Sequence, residues 1–571
     1  MRLADWIVLF GALGYVVLFG LWRGRASNSV NKYLLGGRSM PWHVVGLSIM
    51  ATQASAVTFI STTGQSYVDG MRFVQFYFGL PIAMFILAFT AVPLFHRSGV
   101  YTAYEYLERR FDARTRALVS AVFLTQRGLA LGITLYAPAV VLTVILGWPD
   151  WVTTLIMGGI AVTYTTVGGV RAIAWTDFQQ MFVMLAGLVA AFICAVVFLP
   201  NHVTFSGAVS LAAAANRLNV ITTHFDWNDR YNLWSGLIGG AFMALAYFGT
   251  DQTQVARYLT GRSVAESRRG LFLNAIAKVP MQLFILFIGA MVFVFYVYEK
   301  PPLLFQKTEL ARIQSPPVRD QYTPIAQRYD QAFEARRQSA DGLLAARAGG
   351  DAAGADAQGT AYRKAASEIE AVRKDAASLA AKSGGGGGSD TNYIFLTFVT
   401  THLPAGLVGL LLAVIFGATM TAISAEMNAL ASVSIVDIYK RHVRKDATDA
   451  HYLKASRLGT FFWGCYAVVC AHYLKGLGSL VEVVNVLGSL FYGGMLGVFV
   501  LAFFFKRVNS RGAFYGVLVG EAVIFSCWYF TKIAFLWYNV IGCLVVLIAG
   551  VAISALTPAA SAKGEPPPAI S

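Results

Sequence analysis

The sequence predicts an all-α polytopic membrane protein, on three observations. Of 571 residues, 56% are apolar and only 13% charged, about half the roughly 25% charge of soluble domains. The apolar residues gather into runs of about 20, each able to cross a hydrocarbon core of about 30 Å as a helix. The net charge of +15 sits in short clusters between those runs, as cytoplasmic loops do, and this placement argues against a nucleic-acid partner. A water-soluble enzyme and a disordered chain are excluded at this point.

Thirteen runs can be drawn, at 4–22, 41–69, 73–95, 117–146, 150–168, 175–199, 232–255, 270–298, 404–436, 456–473, 478–505, 511–531 and 534–556. Helices are expected because lipid offers no partner to backbone N–H and C=O groups. The first run is followed by Arg23 and Arg25 and lacks a small-residue cleavage site, so it is expected to be retained. Basic clusters follow runs one, three, seven and nine, as at Arg109, Arg110, Arg114 and Arg116, while loops such as 148–151 carry little charge. The clusters fall on one side, which places the N-terminus outside and the C-terminus in the cytoplasm. A plasma (inner) membrane location, multi-pass, is expected.

The domain division follows: 1–298 holds eight spans, 299–392 an extracytoplasmic loop, 393–557 five more spans, and 558–571 a disordered tail rich in Ala and Pro. The loop carries 25 of the chain's 75 charges in about one-sixth of its length. Residues 364–381 have helical composition, and Gly384–Gly388 reads as a flexible linker. The five cysteines all fall inside apolar runs without ligand spacing and read as small core residues.

Polar groups at membrane depth are costly and so mark candidate function. Run two contains Ala51-Thr-Gln-Ala-Ser-Ala-Val-Thr58. It is either a helix break whose freed carbonyls bind a cation or a small-residue packing face. Five spans later comes Tyr247-Phe-Gly-Thr-Asp-Gln252, with Asp251 either part of a second break or an interfacial anchor. Two polar interruptions at matching places in two halves point to a transporter site at a repeat interface. Lys278 and Arg127 lie deep in spans eight and four, and each needs a carboxylate, carbonyls or a wet cavity. No zinc, Ser/His/Asp or phosphate-loop motif is present, so no enzyme is expected, and a signalling domain for a sensor is not visible.

These residues resemble the sodium:solute symporter family from about Lys32 to Gly520. The resemblance rests on Tyr33-Leu-Leu-Gly-Gly-Arg-Ser39, Thr102-Ala-Tyr-Glu-Tyr-Leu-Glu-Arg-Arg-Phe111, Thr163-Tyr-Thr-Thr-Val-Gly-Gly-Val-Arg-Ala172 with Trp175-Thr-Asp-Phe-Gln179, Thr250-Asp-Gln252 through Arg257-Tyr-Leu259, Val436-Asp-Ile-Tyr-Lys440, and Lys506-Arg-Val-Asn509 with Gly512-Ala-Phe514. It implies a LeuT-type core of two inverted five-helix repeats, spans two to six and seven to eleven. It also implies sodium-coupled symport of a small polar organic solute by alternating access.

By the same resemblance, the sodium ion is held by Ala51, Ala54, Ala418, Thr421 and Ala422. Ala422 lacks the hydroxyl usual there, which keeps proton-coupled or uncoupled transport, or a sensor of the same fold, as alternatives. Asp177 corresponds to a carboxylate near the inner sodium exit, and Asp251 is grouped with it in ion exit or coupling. Thr58, Tyr247, Lys278 and Asn485 correspond to substrate positions of sugar-transporting members. Tyr136-Ala-Pro138 is closer to the monocarboxylate, iodide and vitamin branch. The expected partners are a small sugar, polyol, amino acid or carboxylate and the lipid bilayer, with no nucleic acid and no required protein.

Overall fold

The computed structural model describes residues 2–24, 30–316, 318–384, 390–473 and 479–557. Among these there is no strand, only an isolated bridge between Met40 and Gly261. Eight helical runs are long and apolar enough to cross a membrane, and they coincide with eight of the expected spans. Two further spans are the interrupted ones.

Helix Trp42–Thr52 stops at Gln53, and the chain resumes as a π-helical turn Thr58–Thr62 and a helix Thr63–Asp69. Lipid tolerates such a break only where the freed backbone groups find partners. Here they do. Ala54 N–H bonds Ala51 C=O at 3.0 Å, the Thr58 hydroxyl donates to Gln53 C=O at 2.9 Å, and Ala56 N–H donates to Thr419 Oγ1 at 3.2 Å. The packing-face alternative does not describe this segment.

The second interruption separates Gly240–Gly249 from Gln252–Leu259. Asp251 caps the second piece, accepting from Thr253 N–H at 2.9 Å. Tyr104 OH satisfies Thr250 C=O at 3.0 Å.

Helix Leu407–Val433 is the central pillar. Every residue from 411 to 433 is buried, so apolar residues occur on all its sides and its polar residues, Glu426 among them, face other parts of the protein. The helix Val264–Tyr298 lies against the first interrupted segment, and Gly289 permits the approach: a Cβ there would stand 2.8 Å from Cβ of Ser66. At the end expected to face the cytoplasm, Asp437 joins Thr102 at 2.8 Å and Arg116 at 2.6 Å. Two of the quoted motifs are therefore one clamp.

The runs expected as spans five and six are joined by unbroken helical backbone, Asp150–Val197, within which Trp151–Thr163 and Ile173–Val197 are the apolar pieces. No proline falls inside it, and Gly168-Gly169 alone, at about 1 kcal/mol each, does not end a helix.

The outer loop is more ordered than expected. Arg319–Ala348 and Ala352–Lys382 form an antiparallel hairpin turned at Gly350, φ +72°. It closes over its own core of Tyr329, Ile369, Val372 and Ala376 with Leu303 and Leu304. Of the expected linker Gly384–Gly388, residues 385–388 lie outside the described residues, as does the tail from 558.

Candidate functional site

A buried cavity of about 140 Å³ lies between the two interruptions. Gln53, Ser55 and Thr58 reach it from the first, Tyr247 and Phe248 from the second. Lys278, Asn485, Arg127, Glu426 and Tyr492 add to the polar wall, with Phe76 and Leu80 on the apolar side. All four residues expected at the substrate, from four separate elements, therefore meet in one space.

Their hydrogen bonding leaves capacity for a ligand. Lys278 is 1% exposed, its Nζ stands 5.6 Å from the centroid of the Tyr77 ring, and it makes no ion pair with any described residue. The Asn485 amide nitrogen has no partner. Tyr247 OH accepts from Gln254 at 2.7 Å, so its own hydrogen remains available. Thr58 is committed to Gln53 C=O, and its lone pairs remain free to accept.

Arg127 and Asp251, on the same side of the cavity as Tyr247, form a cluster. The Arg127 guanidinium pairs with Asp251 Oδ2, with Glu426 Oε1 at 3.2 Å and with Tyr492 OH at 2.6 Å. Tyr492 in turn donates to Asp251 at 3.0 Å. Asp251 is fully buried, so the interfacial-anchor alternative does not apply to it. Glu426 Oε2 has no partner and lines the cavity. Two cations, Lys278 and Arg127, thus balance two carboxylates, Asp251 and Glu426, but only Lys278 lacks an ionic partner.

The five residues expected at sodium fall on two neighbouring elements. Ala51 and Ala54 flank the first interruption, and Ala418, Thr421 and Ala422 lie on the pillar helix; all five are buried. The Ala56–Thr419 bond joins the two elements, and Ala422 forms part of the cavity wall. The Thr421 hydroxyl donates to Gln180 Oε1, which leaves its lone pairs free for a cation. Asp177 lies one helical turn from Gln180. It accepts from Ser48 at 2.6 Å and pairs with Arg257 at 3.4 Å, and its other oxygen has no partner.

Several of these residues escaped the sequence reading. Glu426 is a charged residue at membrane depth and carried its own signal. Gln180 is one turn from Asp177 on the same face. Thr419, Ser48 and Tyr492 gave no signal, because single hydroxyls in spans most often bond their own helix.

A model of the sodium:solute symporter family matches residues 33–302 and 377–520. The chain belongs to that family. Among relatives, it is 27% identical to the sodium/iodide cotransporter of Homo sapiens over 91% of this chain and 70% of that protein. It is 25% identical to the sodium/sialic acid symporter SiaT of Proteus mirabilis (strain HI4320), over 96% and 94%. A solved Na+-coupled sialic acid symporter in a substrate-bound outward-open state superposes with a TM-score of 0.75 at 24% identity, over 97% of this chain and 98% of that one. That likeness carries the inverted-repeat fold. The hairpin residues between 303 and 376 fall outside the family match.

Proposed function

We propose that this chain is a sodium-coupled symporter that moves a small polar solute through the cavity between its two helix interruptions. The supporting observation is the convergence of Thr58, Tyr247, Lys278 and Asn485 on that cavity, beside the two elements that carry Ala51, Ala54, Ala418, Thr421 and Ala422 and that the Ala56–Thr419 bond joins. Ala422 contributes only backbone. A hard cation takes oxygen ligands, so a sodium ion at the junction would draw the interrupted helix onto the pillar. Because the same interrupted helix supplies Thr58 to the solute, each ligand favours the arrangement the other needs, and the coupling is reciprocal. Rocking of one repeat against the other then exposes the site to alternate sides. Asp177 and Asp251 serve ion exit or coupling, Asp251 from within its cluster with Arg127 and Tyr492. The protein lies multi-pass in the plasma (inner) membrane, N-terminus outside and C-terminus in the cytoplasm. Its domains are 1–298, 299–392, 393–557 and 558–571.

Lys278 sets the solute class. A buried ammonium without an anionic partner is costly, and it donates three hydrogen bonds while accepting none. The solute therefore presents acceptors, as a carboxylate or a polyol does. A thermal-stability screen of the purified protein against sugars, amino acids and small carboxylates tests this, since a ligand of the folded state raises the midpoint. One class is expected to stabilise in sodium buffer and not in potassium buffer; stabilisation indifferent to sodium would contradict the reading.

The variant Lys278→Gln keeps a donor and removes the charge. A charge-assisted bond is worth about 1.5–3 kcal/mol, so half-saturation for a carboxylate should rise about tenfold or more. For a polyol the rise should stay within a few-fold. Uptake unchanged for every solute would remove Lys278 from the site.

A further inference from the structure

We propose that the space beneath the outer hairpin is a binding site for a small organic anion, separate from the central cavity. This cavity of about 370 Å³ lies between the helix Ala352–Lys382 and the outer end of the bundle. A water occupies about 30 Å³ of liquid, so the space suits a molecule rather than a single ion. Its ionic lining is Arg217, Arg336, Arg373 and Lys374 against Glu370 and Asp390, an excess of two positive charges.

The protein only partly satisfies those cations. Arg336 is 2% exposed; it donates to Tyr296 C=O at 2.6 Å, while its Nε finds no acceptor. Arg373 pairs through Nη2 with Asp390 at 2.9 Å, and its Nη1 is without a partner. Arg217 is held by Val68 C=O and Glu370, and its Nε is likewise unpartnered. The buried Arg336 and the half-buried Arg217 and Arg373 therefore each keep an unused N–H. Arg217 and Arg336 also stand over the same ring, Phe293, at 4.7 and 5.7 Å from its centroid. Like charges gathered in a partly buried space favour an anion between them, and the guanidinium fork matches a carboxylate. Leu304, Ile369 and Ala377 give the space an apolar wall, which selects an acid with an apolar body over a bare inorganic anion.

Position gives the site a consequence. Tyr67 and Val68 at its floor end the outer half of the interrupted helix, and Thr391 begins the helix leading back to the pillar. An anion bound there fastens the hairpin to the elements that flank the central cavity. Residues 303–376 of the hairpin lie outside the family match, while Ala377, Asp390 and Thr391 of the site lie inside it.

The test is a titration of the full-length protein with benzoate in potassium buffer at constant ionic strength, followed by thermal midpoint. A saturable rise is expected. Lys374→Glu, on a flexible side chain at the rim, should weaken the apparent affinity about tenfold, and Arg336→Gln should remove the rise. Lys278→Gln, in the central cavity, should leave it unchanged. No saturable rise, a rise kept by both hairpin variants, or a rise lost in Lys278→Gln would overturn the proposal. Sulfate saturating at the same concentration as benzoate would overturn the assignment to an organic anion. Should Arg336→Gln fail to fold, Lys374→Glu decides the outcome.

Discussion

Replacing Arg127 with leucine is expected to be among the most damaging single changes in the membrane core. The guanidinium serves Asp251, Glu426 and Tyr492 at once, and all lie away from solvent. Removing one partner of a buried ionic cluster leaves uncompensated carboxylates, at about 3–5 kcal/mol. The expected result is a large fall in thermal midpoint with loss of uptake. Arg127→Lys should be intermediate, because Nη1 reaches Glu426 while Nη2 reaches Asp251, and one ammonium cannot span both in the same way. Removing the orphaned charges together, as in Arg127→Leu with Asp251→Asn and Glu426→Gln, should recover part of the stability but not the uptake. An Arg127→Leu protein of unchanged midpoint and full transport would show that the cluster does not hold the second interruption in place.

Thr421→Ala is expected to raise the sodium half-saturation of uptake by about tenfold or more. Thr421 supplies the one side-chain oxygen of the proposed ion junction, and it is oriented for that work: its hydrogen goes to Gln180, so its lone pairs face outward from that bond. A ligand bond to a full charge is worth about 1.5–3 kcal/mol. Adding the hydroxyl that the neighbouring position lacks, by Ala422→Ser, should lower the half-saturation. Thr421→Ser keeps the hydroxyl and should stay near the parent. A sodium dependence that ignores all three changes would move the ion elsewhere.

Much of this architecture was legible in the sequence because the membrane imposes few solutions. A run of apolar residues must be a helix, and a polar patch inside one must be explained. Residues 51–58 and 247–252 announced the two interruptions in this way. The convergence of Lys278 and Asn485 with Thr58 and Tyr247 came through family resemblance, since no periodicity relates residues on four distant segments. What stayed hidden has identifiable causes. The unbroken helical backbone between runs five and six depends on Gly168 and Gly169 being tolerated rather than breaking the helix. Glu426 sits in a span that is otherwise uncharged, and its charge alone marks it. The hairpin's packing against the bundle rests on long-range pairs such as Arg217–Glu370 and Arg336–Tyr296, which local composition does not encode. Ser48, Gln180 and Thr419 matter through partners on other helices, and a single sequence does not reveal those partners.

The most direct measurement is solute uptake into proteoliposomes under imposed gradients, using the solute found in the stability screen. With an inward sodium gradient, uptake should rise above the equilibrium level, collapse when sodium is replaced by potassium, and show no response to a pH gradient imposed without sodium. Concentrative uptake in the absence of sodium, or uptake driven equally by a pH gradient, would contradict sodium coupling at the Ala51–Thr421 junction.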